Sequence, residues 1–295
     1  MCIRIEKPTI LDVDLRSLEI KVSRSENLPV LPQIVSQVLT LADDPNASAR
    51  SMERLIEADA AIAAKILRVA SSAFYGATAV PTIGRAISIL GMNTIRALVV
   101  GIAYQQIMSG RTQSVLFSKV DFWRHCLATA IAARVLGKIL MPTKADDLYC
   151  AGMLHDVGLL VLDRFASNDL DCALKTAMED GIPLYEAEDR LFGFNHAMIG
   201  DLLAVRWNLS PIVHSAIRYH HDVCSDDNHH LSTCIVATAN HLAHQAGYSN
   251  PQNAPMFELD PVVLSSLNLP VEQLDIIVNV LPPEVQKAEQ AFGIS

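Results

Sequence analysis

From residue 28 onward, apolar positions recur at three- and four-residue spacing, the period of an amphipathic helix. In LPVLPQIVSQVLTLADDP (28–45), Ile34, Val35, Val38 and Leu39 form one stripe, with Leu41 beside it. Pro32 suits the first turn of that helix, and DDPN stops it. The stretch SARSMERLIEADAAIAAKILRVASSAFYG (48–76) predicts two more helices; in the second, Ile62, Ile66 and Val69 share a stripe flanked by Lys65. YGATAVPT reads as a loop. TIGRAISILGMNTIRALVVGIA (82–103) reads as helix, break at Gly91, helix, with Asn93 a candidate N-cap. A second set follows at 117–140, 146–165, 184–193, 195–209, 211–221 and 231–247. Nothing alternates with the two-residue period of a strand ladder, so the fold class is all-α: a multi-helical bundle.

These patterns divide the chain. Residues 1–27 are mixed and charged and read as an arm or short elements. Residues 28–247 read as one helical domain, with an N-terminal subdomain over 28–110 and a core bundle over 111–247. The tail, 248–295, has prolines at 251, 255, 261, 270, 282 and 283, which predict short helices joined by turns.

Composition supports helices: 51% of residues are hydrophobic but only 5% aromatic. The net charge of −9 argues against a phosphate-backbone partner. The helix–break–helix at 82–103 resembles a DNA-reading motif in outline, yet its second helix offers one arginine among apolar residues, which suits core packing. The longest apolar segment, ALVVGIAYQQIM (97–108), is interrupted by glutamines and too short for a bilayer. The N-terminus has no apolar leader, and the six cysteines include no C-x-x-C pair. The expectation is a cytoplasmic protein with reduced thiols and no membrane association.

Histidine placement carries the chemistry. All ten histidines lie between His125 and His244. His125, the pair His155–Asp156, His196 and the pair His220–His221, with Asp222, sit on or beside separate predicted helices. Imidazoles and carboxylates gathered from several helices are how a bundle builds a mononuclear or dinuclear metal centre. Helical neighbours point about 100° apart, so His155 and Asp156 reach one centre only from a helix end or bend, or with Asp156 bridging two ions; Gly158 allows such a bend. His229 and His230 read as a solvated loop, and His214, His241 and His244 as surface or helix-face residues. Cys126 neighbours His125 but does not face it as a nucleophile would. No nucleophile elbow, P-loop or dinucleotide fingerprint is present.

The ordered segments LPVLPQIVSQVLTLADDPNASARSMERLIEADAAIAAKILRVASSAFYG, IGRAISILGMNTIRALVV, FWRHCLATAIAARVL, AGMLHDVGLLVL, GFNHAMIGDLLAVRWNLSPIVHSAIRYHH and VATANHLA resemble the HDOD domain, a bacterial relative of the HD superfamily. The likeness spans roughly residues 25–247. It implies an N-terminal helical subdomain on an HD-like core. It also implies a divalent metal site, for manganese, iron or magnesium, on His125, His155, Asp156, His196, His220 and His221. Three departures bear on activity. Asn240 stands where the superfamily has its closing metal-binding aspartate. Leu159 replaces the lysine that commonly follows His-Asp-x-Gly, and the G-Y-P loop after the paired histidines is missing. The expectation is therefore a catalytically degenerate signalling module, working with signalling proteins in trans, a homodimer being allowed. The alternative is a metal-dependent phosphohydrolase or phosphodiesterase acting on a phosphoester or cyclic dinucleotide.

Overall fold

Capping decides where the N-terminal helices begin. The computed structural model of the 295-residue chain describes residues 14–24, 33–42, 46–76, 79–108, 113–249 and 258–293. In the first half it forms α1 (Leu15–Arg24), α2 (Gln33–Ala42), α3 (Ala49–Glu57), α4 (Ala60–Ala70), α5 (Ile83–Leu90) and α6 (Met92–Met108). Helix α3 opens on a capping box: Ser48 Oγ accepts from the Ser51 amide at 3.1 Å, and Ser51 Oγ accepts from the Ser48 amide at 3.0 Å. Asp59 caps α4 by accepting from the Ala61 and Ile62 amides, both at 3.0 Å. Gly91, at φ +82°, ends α5. Its carbonyl accepts from the Ile95 amide at 3.2 Å, so α6 starts before Asn93, which is helical and not the N-cap the sequence suggested. The stripe Ile62, Ile66 and Val69 is buried, as are Ile34, Val35 and Val38. Pro32, the stop at 43–45 and the Leu39 side chain lie outside the described residues.

The second half contains α7 (Lys119–Leu140), α8 (Ala145–Leu154), α9 (Gly158–Phe165), α10 (Ser167–Asp180), α11 (Leu184–Phe192), α12 (His196–Arg206), α13 (Pro211–Tyr219), α14 (His230–Gln245), α15 (Pro261–Leu267) and α16 (Val271–Phe292). Among the described residues there is no strand, and no single helix is long and apolar enough to cross a membrane. The first element reads as an arm in sequence; α1 instead packs on α9 and α12, with Leu18 fully buried. Helix α10 was not legible as a helix, because its buried stripe (Leu170, Ala173, Leu174, Ala177) is half alanine within a polar segment.

Two close helix crossings set the frame of the site. Helices α7 and α8 form an antiparallel hairpin. A Cβ on Gly152 would lie 2.9 Å from Ala130 Cα, so the two backbones touch there. Likewise, a Cβ on Gly158 would lie 2.0 Å from the His196 carbonyl oxygen, which draws the start of α9 onto the start of α12.

The tail differs from the expectation of short helices. Pro282 and Pro283 lie inside the 22-residue α16. An interior proline costs about 3 kcal/mol. Burial of a large apolar side chain returns about 1.5–3 kcal/mol, and α16 buries Leu274, Ile277, Leu281, Val285 and Phe292 along its length. Phe292 meets Trp123 of α7 edge-on at 5.7 Å between ring centroids, and Glu289 accepts from Arg124 at 2.6 Å. Segment 258–293 therefore shares the core of the bundle.

Candidate metal centre

The hairpin places the first candidate ligands. His125 lies on the first third of α7, and His155 caps the C-terminus of α8, which runs antiparallel to it. The Gly152–Ala130 contact sets the spacing, and the two imidazole Nε2 atoms come to 3.3 Å. Residues 155–157 then leave the helix as a turn, with the Val157 amide donating to the Leu154 carbonyl at 3.0 Å. That turn is the bend the sequence called for, and it lets the adjacent His155 and Asp156 face one point. Gly158 contributes by lacking a side chain against α12, not by an unusual backbone angle.

All six predicted residues meet there, in two groups that share Asp156. His125, His155 and Asp156 form one; Asp156, His196, His220 and His221 form the other. Within each group the candidate donor atoms lie within 4.8 Å of one another, a spacing that could hold a metal ion. Asp156 Oδ2 faces His125 Nε2 at 3.5 Å and His155 Nε2 at 3.2 Å. Its Oδ1 faces His196 Nε2 at 3.1 Å and His220 Nε2 at 3.3 Å.

The outer contacts orient these rings. His125 Nδ1 donates to the Tyr248 carbonyl at 2.8 Å, His155 Nδ1 to Gly152 at 2.8 Å, and His220 Nδ1 to Ile217 at 3.0 Å. A carbonyl can only accept, so each Nδ1 carries the hydrogen and each Nε2 presents a lone pair to the centre. His196 Nδ1 donates to Glu188 Oε2 at 2.6 Å, and the same oxygen accepts from the His196 amide at 2.9 Å. His220 Nε2 is buried without a hydrogen-bond partner. Converging lone pairs and a carboxylate in a buried site repel unless a cation lies between them. Imidazole nitrogen and carboxylate oxygen are the donors that first-row divalent metals take, so these residues fit such an ion.

Electrostatics of the metal-free chain agree. Burial pushes the Asp156 carboxyl up, but His155, His125 and His196 outweigh it and hold the group well below the usual carboxylate range. Burial, reinforced by His220 and His125 against the pull of Asp156, lowers His155 to about 4. Burial also opposes charge on His196, yet Glu188 and Asp156 on its two sides raise it to about 10. Without metal, His196 is thus an imidazolium between two carboxylates. His221 is depressed by burial and by His220 and His196.

Above the centre opens a cavity of about 330 Å³. Asp156, His196, His220 and His221 form its floor, Leu159, Leu184, Tyr185 and Val263 its apolar walls, and Asp222, Glu258 and Asp260 its acidic edge. Among the described residues no lysine or arginine lines it. Leu159 fills the place where the resemblance expects a lysine. Asn240 also lines the cavity, with its buried Oδ1 lacking a hydrogen-bond partner.

Several residues that matter were not singled out in sequence. Glu188, fully buried in α11, is one of three acids on a mostly polar helix until His196 is placed beside it. Tyr185 stacks on His221 at 4.2 Å between centroids. His244, read as a surface or helix-face residue, lines the cavity with its ring 4.8 Å from that of His125; burial and then His125 lower it to about 3. His241 lines the cavity as well. His230, read as part of a solvated loop, opens α14 and bonds the Val223 carbonyl at 2.9 Å and Ser266 Oγ at 3.1 Å. The cause is Asp226, whose buried carboxylate accepts from the His229 amide and Thr233 Oγ1 and so ties the loop to the helix. His214 is a partly exposed partner of Asp201. Cys126 is buried 3.7 Å from the Tyr104 hydroxyl, and burial drives its thiol pKa well up, which removes it as a nucleophile.

An all-α bundle that gathers a His-Asp pair and four further histidines onto one buried carboxylate defines an HD-type helical protein. The HDOD domain family model matches residues 28–223, and the chain belongs to the HDOD family. Solved structures share the fold at 23–24% identity. An HDOD domain protein of unknown function from Geobacter sulfurreducens is 23% identical, with a TM-score of 0.70 over 94% of this chain and 96% of that one. A candidate signal transduction protein from Marinobacter aquaeolei VT8 is 23% identical, with a TM-score of 0.74 over 90% of this chain and 59% of that one. A candidate phosphohydrolase from Shewanella amazonensis SB2B is 24% identical, with a TM-score of 0.66 over 94% and 95%. An uncharacterized protein of Treponema pallidum (strain Nichols) is 24% identical over 225 residues, covering 75% of this chain and 43% of that one, so the chain spans less than half the length of this relative.

Proposed function

We propose that this chain is a signalling module of the HDOD family that holds a divalent metal at its His/Asp centre, does not turn over phosphoesters, and acts through contacts with signalling proteins. The observation that carries the reading is the cavity wall. A phosphoester presents negative charge that grows or spreads in the transition state, and enzymes that cleave one surround it with cations. Here, among the described residues, no lysine or arginine lines the cavity, Leu159 occupies one wall, and Asp222, Glu258 and Asp260 add carboxylates. Asn240 gives a neutral amide where a closing carboxylate would bind a second ion more firmly. Any compensation of a phosphoryl group would rest on bound metal alone, against an acidic edge.

A metal-dependent phosphohydrolase is the second reading, favoured by the two donor groups that share Asp156, which suit a dinuclear hydrolytic centre. One experiment separates them. Protein purified without chelator is assayed for bound metal by mass spectrometry, then screened against phosphomonoesters, phosphodiesters and cyclic dinucleotides with added manganese or iron. We expect bound metal, lost in Asp156→Ala, and no turnover above the uncatalysed rate. Turnover that Asp156→Ala abolishes would overturn the proposal in favour of the enzyme.

A further inference from the structure

We propose that His244 is a metal ligand of the His125 group, taking the place of the carboxylate that Asn240 does not supply. The inference rests on the metal-holding reading above and extends it to a residue on α14.

The two donor groups are unequal. Asp156 gathers His196, His220 and His221 on one side but only His125 and His155 on the other. Helix α14 packs on α7, which carries His125, and Asn240 and His244, one turn apart on it, line the cavity that also exposes Asp156, His196, His220 and His221. An amide oxygen is a weak donor for a transition metal, whereas an imidazole is a strong one.

The His244 ring lies beside that of His125, outside the donor atoms already clustered within 4.8 Å of one another. Its centroid lies 4.8 Å from that of His125, with 51° between the ring planes. One segment orients both rings by the same edge: the Tyr248 carbonyl accepts from His125 Nδ1 at 2.8 Å, and Ser249 Oγ bonds His244 Nδ1 at 3.1 Å. Partners that fix Nδ1 and leave Nε2 for the ion are the usual outer contacts of metal-bound histidines. With His244 included, each group has three imidazoles and a share of Asp156. Such a set suits cobalt, iron or zinc better than magnesium or calcium, which prefer all-oxygen ligands.

Cobalt(II) titration of the full chain, stripped with chelator, tests this through visible absorption and equilibrium dialysis. Wild type takes up two ions. His244→Ala binds the second ion more than about tenfold more weakly, tenfold being the low end for loss of even an outer contact, and loses the matching part of the absorption. His244→Asp, which returns a carboxylate, keeps two ions with an altered spectrum, and so covers the case in which the alanine variant fails to fold. Unchanged stoichiometry, affinity and spectrum in His244→Ala overturns the assignment while leaving the metal-holding reading intact. Loss of the second ion in Asn240→Ala, with His244→Ala unchanged, assigns the position to Asn240 and also overturns it. No uptake by wild type overturns both.

Discussion

Gly158→Ala is the most direct test of how the fold positions the centre. A methyl at this position would sit 2.0 Å from the His196 carbonyl oxygen and 2.9 Å from the Gly200 amide nitrogen. Both are backbone atoms at the start of α12, so no side chain can rotate away. Ordinary contact begins near 3.4 Å, so α12 has to retreat by about 1.4 Å. Overpacking of this kind costs about 1–3 kcal/mol. The retreat also opens the 3.1 Å approach of His196 Nε2 to Asp156 and strains the 2.6 Å bond to Glu188. We expect the urea midpoint to fall by the corresponding amount and metal affinity at the His196 group to drop by about tenfold or more, as for loss of an outer-contact partner. Gly181→Ala separates the two effects. Gly181 has φ +63° with open space around it, so alanine there costs about 1 kcal/mol in stability without touching the centre. Calorimetric metal titration and urea unfolding of both variants provide the measurement. Native metal affinity in Gly158→Ala would refute the argument that this crossing sets the ligand geometry.

Three further outcomes follow from the same geometry. Glu188→Gln removes the charge behind His196 while keeping its shape, and should weaken metal binding by about 10–100-fold with little loss of fold, read by competition with a coloured chelator. In the metal-free chain, His155 and His244 have folded values of about 4 and about 3, so the unfolded chain binds more protons below 6.5 and stability falls as pH drops from 6.5 toward 4. His196, raised to about 10, works in the other direction: its contribution is complete below 6.5 and is lost as pH rises through 10. The urea midpoint of chelator-treated protein should therefore peak near pH 6.5, and a flat profile from 4 to 10 contradicts the assignment. Phe292→Ala, which empties the space between Trp123 and Gly101, should cost about 3–5 kcal/mol in thermal unfolding, whereas a tail lying outside the core would tolerate it.

The candidate ligands His125, His155 and Asp156 are legible in the sequence as polar residues in apolar runs, where only a shared purpose offsets the cost of burial, whereas the paired His220 and His221 stand in a polar stretch and are legible through the resemblance to the HDOD domain. Pattern gave most helices for the same reason, since α3, α4, α5 and α7 each present a continuous apolar stripe after a Ser, Asp or Thr cap. What stayed hidden depends on pairings between distant segments. Glu188 and His244 look like ordinary charged or polar helix residues until α11 is laid beside α12, and α14 beside α7. Helix α10 stays hidden because alanine carries half of its buried stripe, and α16 reads as interrupted because a proline's local cost is visible in sequence while the long apolar contact that outweighs it is not.

The glycines show the limit most plainly. Gly91 and Gly158 both suggest a break in sequence, yet only Gly91 uses a positive φ. Gly158 is needed for the atom it lacks, and that need comes from the His196 carbonyl 38 residues later. The same holds for Gly152 against Ala130, a contact that lies between the one joining His125 to His155 and the far end of the hairpin. The identity of the candidate ligands is thus written locally, but the distances that bring them together are set by absent side chains at two helix crossings. A chain with the six ligands intact and either crossing filled would keep the motif and lose the centre, which is why the presence of a His-Asp signature alone does not establish a metal site.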